Sequence, residues 1–178
     1  MTRHEQRGWA TPEAFCADVR GPLVGTLELY VGQRATAEEL AQEALVRAWQ
    51  RWDQLEHPRA WTYRCAFNLA RSGFRRRQAE RRANARVSAM SSRVVVDPDA
   101  ADAVAVRRAV SSLSERQRQV VLARFYAQLT VAETADVMSC AEGTVKSLTS
   151  QAIGALRRSG LAVDEPGLDQ PSEVATDA

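Results

Sequence analysis

Trp61, Arg64, Asn68, Arg71 and Arg75 follow one another at steps of three or four residues. That spacing sets them along one face of a helix. An indole, an amide and three guanidinium groups in a row suit a single-stranded nucleic acid. The cations meet phosphates, the flat ring stacks on a base, and the amide reads a base edge. Trp61 taken alone reads more readily as a core residue; its alignment with Asn68 and the arginines brings the nucleic-acid reading level with that one. From Arg71 to Arg93 the chain holds eight arginines and one acid, Glu80, an electrostatic footprint for a polyanion. A solvated helix end is the plainer account of such a run.

A second group lies near the C-terminus. Thr144, Lys146, Ser147, Thr149, Ser150 and Gln151 are short hydrogen-bonding side chains plus one charge, suited to base edges and phosphates in a major groove. A helix beginning near Gly143 carries Val145, Leu148, Ala152 and Leu156 as its apolar stripe. Upstream, Ser114 with Gln117 and Thr130 with Glu133 have capping-box spacing and mark two helix starts. Val120, Val121, Leu122, Ala123 and Phe125 can pack the first of these helices. The short break between Val137 and Thr144 makes helix, tight turn, helix the natural reading, and an ordinary helical hairpin the structural alternative.

Other chemistries find little support. Cys16, Cys65 and Cys140 are far apart, no CxxC occurs, and the chain has two histidines, His4 and His57. A structural metal or disulfide framework is not expected, and buried reduced thiols are. There is no phosphate-cradling glycine loop and no pair of acids in a catalytic setting, so neither an enzyme nor a cofactor is expected. No apolar run approaches a membrane span and the N-terminus lacks a signal-peptide core. The expected location is the cytoplasm.

The elements that must position these residues are helices. With 178 residues, four Trp, four Phe and a 45% hydrophobic content, real cores are available. The expected architecture is all-α: two small helical domains joined by a flexible linker, the C-terminal one a helix-turn-helix. The divisions fall at 13–85, 86–102 (linker), 103–160 and 161–178. Residues 88–99 read SAMSSRVVVDPD, without helical period. The last eighteen residues hold five acids and no base and are expected to be disordered. The first 160 residues therefore carry 24 cationic side chains against 17 anionic ones.

Within the N-terminal part, Thr36 and Glu39 have capping-box spacing before TAEELAQEALVRAWQRW. Ala41, Leu45, Ala48, Trp49 and Trp52 read as its core stripe. Glu38, Glu39, Gln42 and Glu43 gather near its start, where acids suit the helix dipole and also offer a docking surface for a basic partner. Asp53 to Pro58 reads as a loop, with Pro58 as a first helical residue. The next helix, RAWTYRCAFNLARSGFRRR, buries Ala60, Tyr63, Phe67, Ala70 and Phe74.

Taken in order, AEELAQEALVRAWQRW, AWTYRCAFNLARSGFRRR, LSERQRQVVLARFY, TVAETADVMSCAEGTVKS and ALRR resemble the blocks of extracytoplasmic-function (ECF) RNA polymerase sigma factors. ETADVMSC and RAWQRW look closest to the actinobacterial SigE branch. The resemblance covers about residues 13–160. It implies that Glu39, Leu40, Gln42, Glu43 and Arg47 dock on core RNA polymerase, at the clamp helices of β′, with the β subunit as a further contact. It implies that the Asp53–Pro58 loop captures a flipped base of the −10 element. Trp61, Arg64, Asn68, Arg71 and Arg75 would hold the melted −10 strand. The last module would read the duplex −35 element through Thr144, Lys146, Ser147, Ser150 and Gln151, with Arg118, Arg124 and Arg157 on phosphates. An anti-sigma factor that covers these faces is common in the family.

The chain also departs from the family pattern. Ser139 stands where the turn commonly has Gly. Leu148, Gln151 and Ile153 stand where relatives usually carry more Arg, so a weaker electrostatic grip on the −35 element is expected. Gln151→Ala is expected to change promoter preference more than general affinity. The rival functions are an autonomous helix-turn-helix regulator of duplex operators, a nucleic-acid enzyme, and an adaptor that binds polymerase without recruiting a promoter. The first leaves the Trp61 face and the acidic face of residues 38–43 without use.

Overall fold

Two helices, α1 (Pro12–Val31) and α2 (Arg34–Gln50), open the chain as an antiparallel pair in a computed structural model. The structure describes residues 8–84 and 101–161, with side chains over 8–74 and 104–161. Thr11 caps α1 by accepting from the Ala14 amide at 3.3 Å, and Pro12 supplies a preset first helical residue. Gly32 ends α1 in the left-handed conformation, φ 79, with its amide on the Glu28 carbonyl. On α2, Ala37, Ala41, Ala44 and Ala48 are all buried. This small-residue stripe lets Phe15, Leu23, Leu27 and Tyr30 of α1 pack close beside it.

The Thr36–Glu39 capping box does not form. α2 starts three residues earlier, at Arg34, with Gln33 at its cap, and the Thr36 hydroxyl donates to the Gln33 side chain at 3.2 Å. A three-residue turn, Trp52–Gln54, leads to α3 (Pro58–Asn84), which begins at the proline as the sequence predicts. Ala60, Tyr63, Phe67 and Ala70 of α3 are buried against α1 and α2, whereas Phe74 is 38% exposed and touches the Tyr30 ring edge-on. Trp52 is buried (6% exposed), but Trp49 is 45% exposed, so the expected core stripe of α2 loses its central tryptophan to the surface.

The C-terminal module comprises α4 (Ala101–Ser112), α5 (Glu115–Val121, widening into a π turn over Leu122–Tyr126), α6 (Val131–Met138) and α7 (Glu142–Arg158). Both expected capping boxes form: Ser114 with Gln117 and Thr130 with Glu133. Ser139 ends α6 in the left-handed conformation, φ 51, ψ 54. Its own core joins Leu113, Val120, Val131, Met138, Val145 and Leu156. Among the described residues all regular structure is helical.

The two modules pack on each other. Val110, Leu122, Ala123, Ala127, Leu129 and Val137 belong to the same apolar cluster as the side chains of α1, α2 and α3. Ion pairs border this seam, Arg107 to Glu28 at 2.9 Å and Arg71 to Glu115 at 3.0 Å. Half-exposed pairs of this kind contribute about 0.2–1 kcal/mol each, so apolar contact holds the seam. Of the expected linker, 86–102, the last two residues belong to α4, and the rest, like the tail after Leu161, lies outside the described residues.

Candidate nucleic-acid interface

α3 presents the sequence-predicted aromatic and cationic face at the surface of the N-terminal module. Arg64 and Asn68 are exposed and Trp61 half-buried. They line an open cleft of about 450 Å³ together with Arg47, Cys65, Leu69 and Ser72. A second cleft, about 480 Å³, shares Trp61 and Arg64 and is completed by Arg51, Gln54, Leu55, Glu56 and His57. Trp61 thus stands between two hollows, with the Arg51 guanidinium 5.7 Å from its ring centre in a cation–π contact. Arg51 escaped the sequence reading because ten residues and a turn separate it from Trp61. The cation–π geometry is set by that turn and leaves no periodic signal.

Arg71 differs from its neighbours. Its Nε donates to Glu115 Oε1 and its Nη2 to Gln119 Oε1, both at 3.0 Å, across the module seam. The Tyr30 hydroxyl also donates to Glu115, at 3.2 Å. Burial, followed by the Glu115 carboxylate, pushes the Tyr30 hydroxyl up to about 12. Arg75 continues α3, but its side chain lies outside the described residues. Burial also pushes the Cys65 thiol up, while the adjacent Arg47 guanidinium pulls the other way. Cys16, Cys65 and Cys140 are all free and partly exposed, not fully buried as expected.

On α2, Glu38, Glu39, Gln42 and Glu43 are exposed and Leu40 is partly buried. Arg47 pairs with Glu43 at 2.8 Å and Arg34 with Glu38 at 3.0 Å. Val46 and Trp49, each 45% exposed, extend this surface into a groove of about 690 Å³ with Cys16, Arg20, Leu45 and Gln50. Val46 and Trp49 together form an exposed apolar patch beside the acids of α2. The apolar periodicity of α2 concealed it by suggesting burial.

On α7, Thr144, Lys146, Ser147, Ser150, Gln151 and Arg157 are exposed, while Val145, Ala152, Ile153 and Leu156 are buried. Gln151 donates to the Ser147 hydroxyl at 3.2 Å, which couples the two side chains. Thr149 does not belong to the outer face: it is buried and donates to the Val145 carbonyl. Arg118 is not presented to a ligand either. Its guanidinium donates to the carbonyls of Tyr30, Val110, Ser111 and Leu113. Arg124 donates to the Leu129 carbonyl. Both cations serve backbone carbonyls: Arg118 those freed at the ends of α1 and α4, and Arg124 that of Leu129 in the loop before α6.

Among the described residues no cluster of His, Cys, Asp or Glu could hold a metal ion. No described helix is long and apolar enough to cross a membrane.

This arrangement, a cationic aromatic face on one module and a helix-turn-helix on the other, defines a two-part nucleic-acid reader. Residues 17–80 match the family described as "Sigma-70 region 2" and residues 109–158 that described as "Sigma-70, region 4". The ECF RNA polymerase sigma factor SigL of Mycobacterium tuberculosis is 33% identical over 71% of this chain and 75% of its own. The RNA polymerase sigma-E factor of Streptomyces avermitilis is 32% identical over 82% of both. In three dimensions the chain is similar to the sigma factor RpoE of Bartonella quintana, solved in complex with the anti-sigma factor NepR. There the TM-score is 0.69 and the identity 25%, covering 79% of this chain and 91% of that one. The chain belongs to the ECF RNA polymerase sigma factors. It directs promoter recognition and transcription initiation, a non-enzymatic role.

Proposed function

We propose the residue assignments by which this chain performs that role. The trough on α3 holds the melted strand of the −10 element: Trp61 stacks on a base, Asn68 reads an edge, and Arg51, Arg64 and Arg71 meet phosphates. Unstacking a base costs a few kcal/mol, which stacking on Trp61 and enclosure in the adjoining cleft offset. Exposed Thr144, Lys146, Ser147, Ser150 and Gln151 of α7 read the duplex −35 element. Glu39, Gln42 and Glu43, with Leu40 and Arg47, dock on the β′ clamp helices of core polymerase, and Val46 and Trp49 extend that docking surface. Other β-subunit contacts and action in the cytoplasm follow from partnership with polymerase.

The observation that carries this reading is Trp61 between two arginine-bordered clefts on the module that also bears the acidic α2 face. An autonomous operator-binding regulator has no use for either. Within the family we place the chain with the actinobacterial SigE branch, supported by its likeness to the Streptomyces sigma-E factors. The complex of RpoE with NepR supports an anti-sigma factor as a further partner. Run-off transcription with core polymerase on a genomic fragment library, followed by permanganate footprinting, tests the assignments. Trp61→Ala and Arg64→Ala should retain polymerase binding and lose strand separation. Unchanged melting in both would refute the α3 assignment.

A further inference from the structure

Opposite the buried line of Val145, Ala152 and Leu156, α7 turns a second line outward: Gly143, Ser147, Gln151, Gly154 and Arg158, at steps of three or four residues. Gly143 has open space where a Cβ would stand, and a Cβ on Gly154 would meet only the Arg158 guanidinium, at 3.5 Å. Between the two glycines, Ser147 and Gln151 are alone on that line, and both are exposed. They do not act separately. The Gln151 amide donates to the Ser147 hydroxyl at 3.2 Å, one turn back along the helix.

A glutamine amide carries two N–H donors and one carbonyl acceptor. Ser147 takes one donor, which leaves one N–H and the oxygen. Adenine shows the major groove a donor and an acceptor, N6–H and N7, whereas guanine shows two acceptors, O6 and N7. The remaining groups of Gln151 match adenine at both atoms. Against guanine the Gln151 oxygen would meet O6, acceptor to acceptor. A free amide could turn both its N–H groups towards guanine, but one tied to Ser147 loses that bond by turning. We propose that Ser147 is a positioning residue that holds the Gln151 amide in its adenine-reading orientation, so that α7 specifies adenine at one position of the −35 element. This rests on reading α7 as the −35 helix. The bare glycines on either side let the helix come close enough for a side chain of this length to reach a base edge.

The test uses holoenzyme made with the full chain. The genomic fragment that gives the strongest run-off transcript has its −35 region replaced by random sequence, and the duplexes that bind are sequenced. Wild type should enrich adenine at one position. Gln151→Ala should enrich no base there while keeping its preferences elsewhere. Ser147→Ala should admit guanine at that same position as readily as adenine. Both residues are exposed, so neither change disturbs the core. In a fixed duplex, 7-deazaadenine at that position lacks the N7 acceptor. It should weaken wild-type binding roughly fivefold, the worth of one hydrogen bond, and leave Gln151→Ala unaffected. Guanine, cytosine or thymine at the Gln151-dependent position overturns the inference, and so does a Ser147→Ala profile identical to wild type. If Gln151→Ala alters no position, Thr144→Ala with Ser150→Ala shows which premise failed. A profile changed by that pair leaves α7 as the −35 helix and makes the adenine contact wrong. A profile unchanged by all of these removes α7 itself from the −35 element.

Discussion

Ser139 holds a backbone conformation that an L residue adopts at a cost, φ 51 and ψ 54 between α6 and α7. The left-handed region costs a non-glycine residue about 1–2 kcal/mol, partly offset because serine leaves the unfolded chain less entropy than glycine would. Ser139→Gly is therefore expected to stabilise the C-terminal module by about 0.5 kcal/mol, read as a higher urea midpoint at unchanged slope. Arg118 gives the opposite case. It sits among four carbonyls, and its removal leaves them without their charged donor. Arg118→Ala should destabilise the protein by about 2 kcal/mol. It should also leave the salt dependence of promoter binding unaltered, because the guanidinium faces the chain and not a phosphate. A reduced salt slope would restore Arg118 to the DNA contacts.

At the scale of elements, α2 shows what the sequence discloses and what it withholds. Its buried alanines give its position against α1, and its acids give its outer face. The departure is Trp49, which periodicity assigns inward but the structure leaves 45% exposed. Local pattern cannot decide this, because the buried stripe of Ala37, Ala41, Ala44, Leu45 and Ala48 is complete without it. Trp49→Glu should then weaken core-polymerase binding at least tenfold, by loss of an aromatic anchor, with little change in thermal stability. A fall in stability equal to that in binding would return Trp49 to the core. α3 was the more legible helix: Pro58 marks its start and the stepwise Trp61, Arg64, Asn68 marks its face. α7 was legible in its outer residues but not at Thr149, whose hydroxyl satisfies itself on the preceding turn and so tolerates burial. Engagement of Arg71 by Glu115 and Gln119, forty-four and forty-eight residues on, has no local signal at all.

Across the whole molecule, charge is divided among faces. The acids of α2 serve one surface, while Arg51 and Arg64 serve another and Lys146 and Arg157 a third. Holoenzyme binding to promoter DNA should weaken steeply as salt rises, because each phosphate neutralised releases counterions. A flat response between 50 and 200 mM salt, the interval over which such contacts lose orders of magnitude, would remove the arginines from the interface. The modules were separable in sequence, and the helix-turn-helix signal was complete within the second. Their shared apolar cluster was not, since Leu122 and Leu129 read equally well as core residues of their own module.

All four tryptophans lie in the N-terminal module, in four different settings. Trp9 donates to Asp18, Trp49 is at the surface, Trp52 is buried, and Trp61 lies under Arg51 between the two clefts. The C-terminal module has none. Tryptophan emission consequently watches one half of the molecule alone. On the assignments proposed above, docking on α2 and strand capture on α3 fall on different indoles, Trp49 and Trp61, and single Trp→Phe replacements then separate the two events in time.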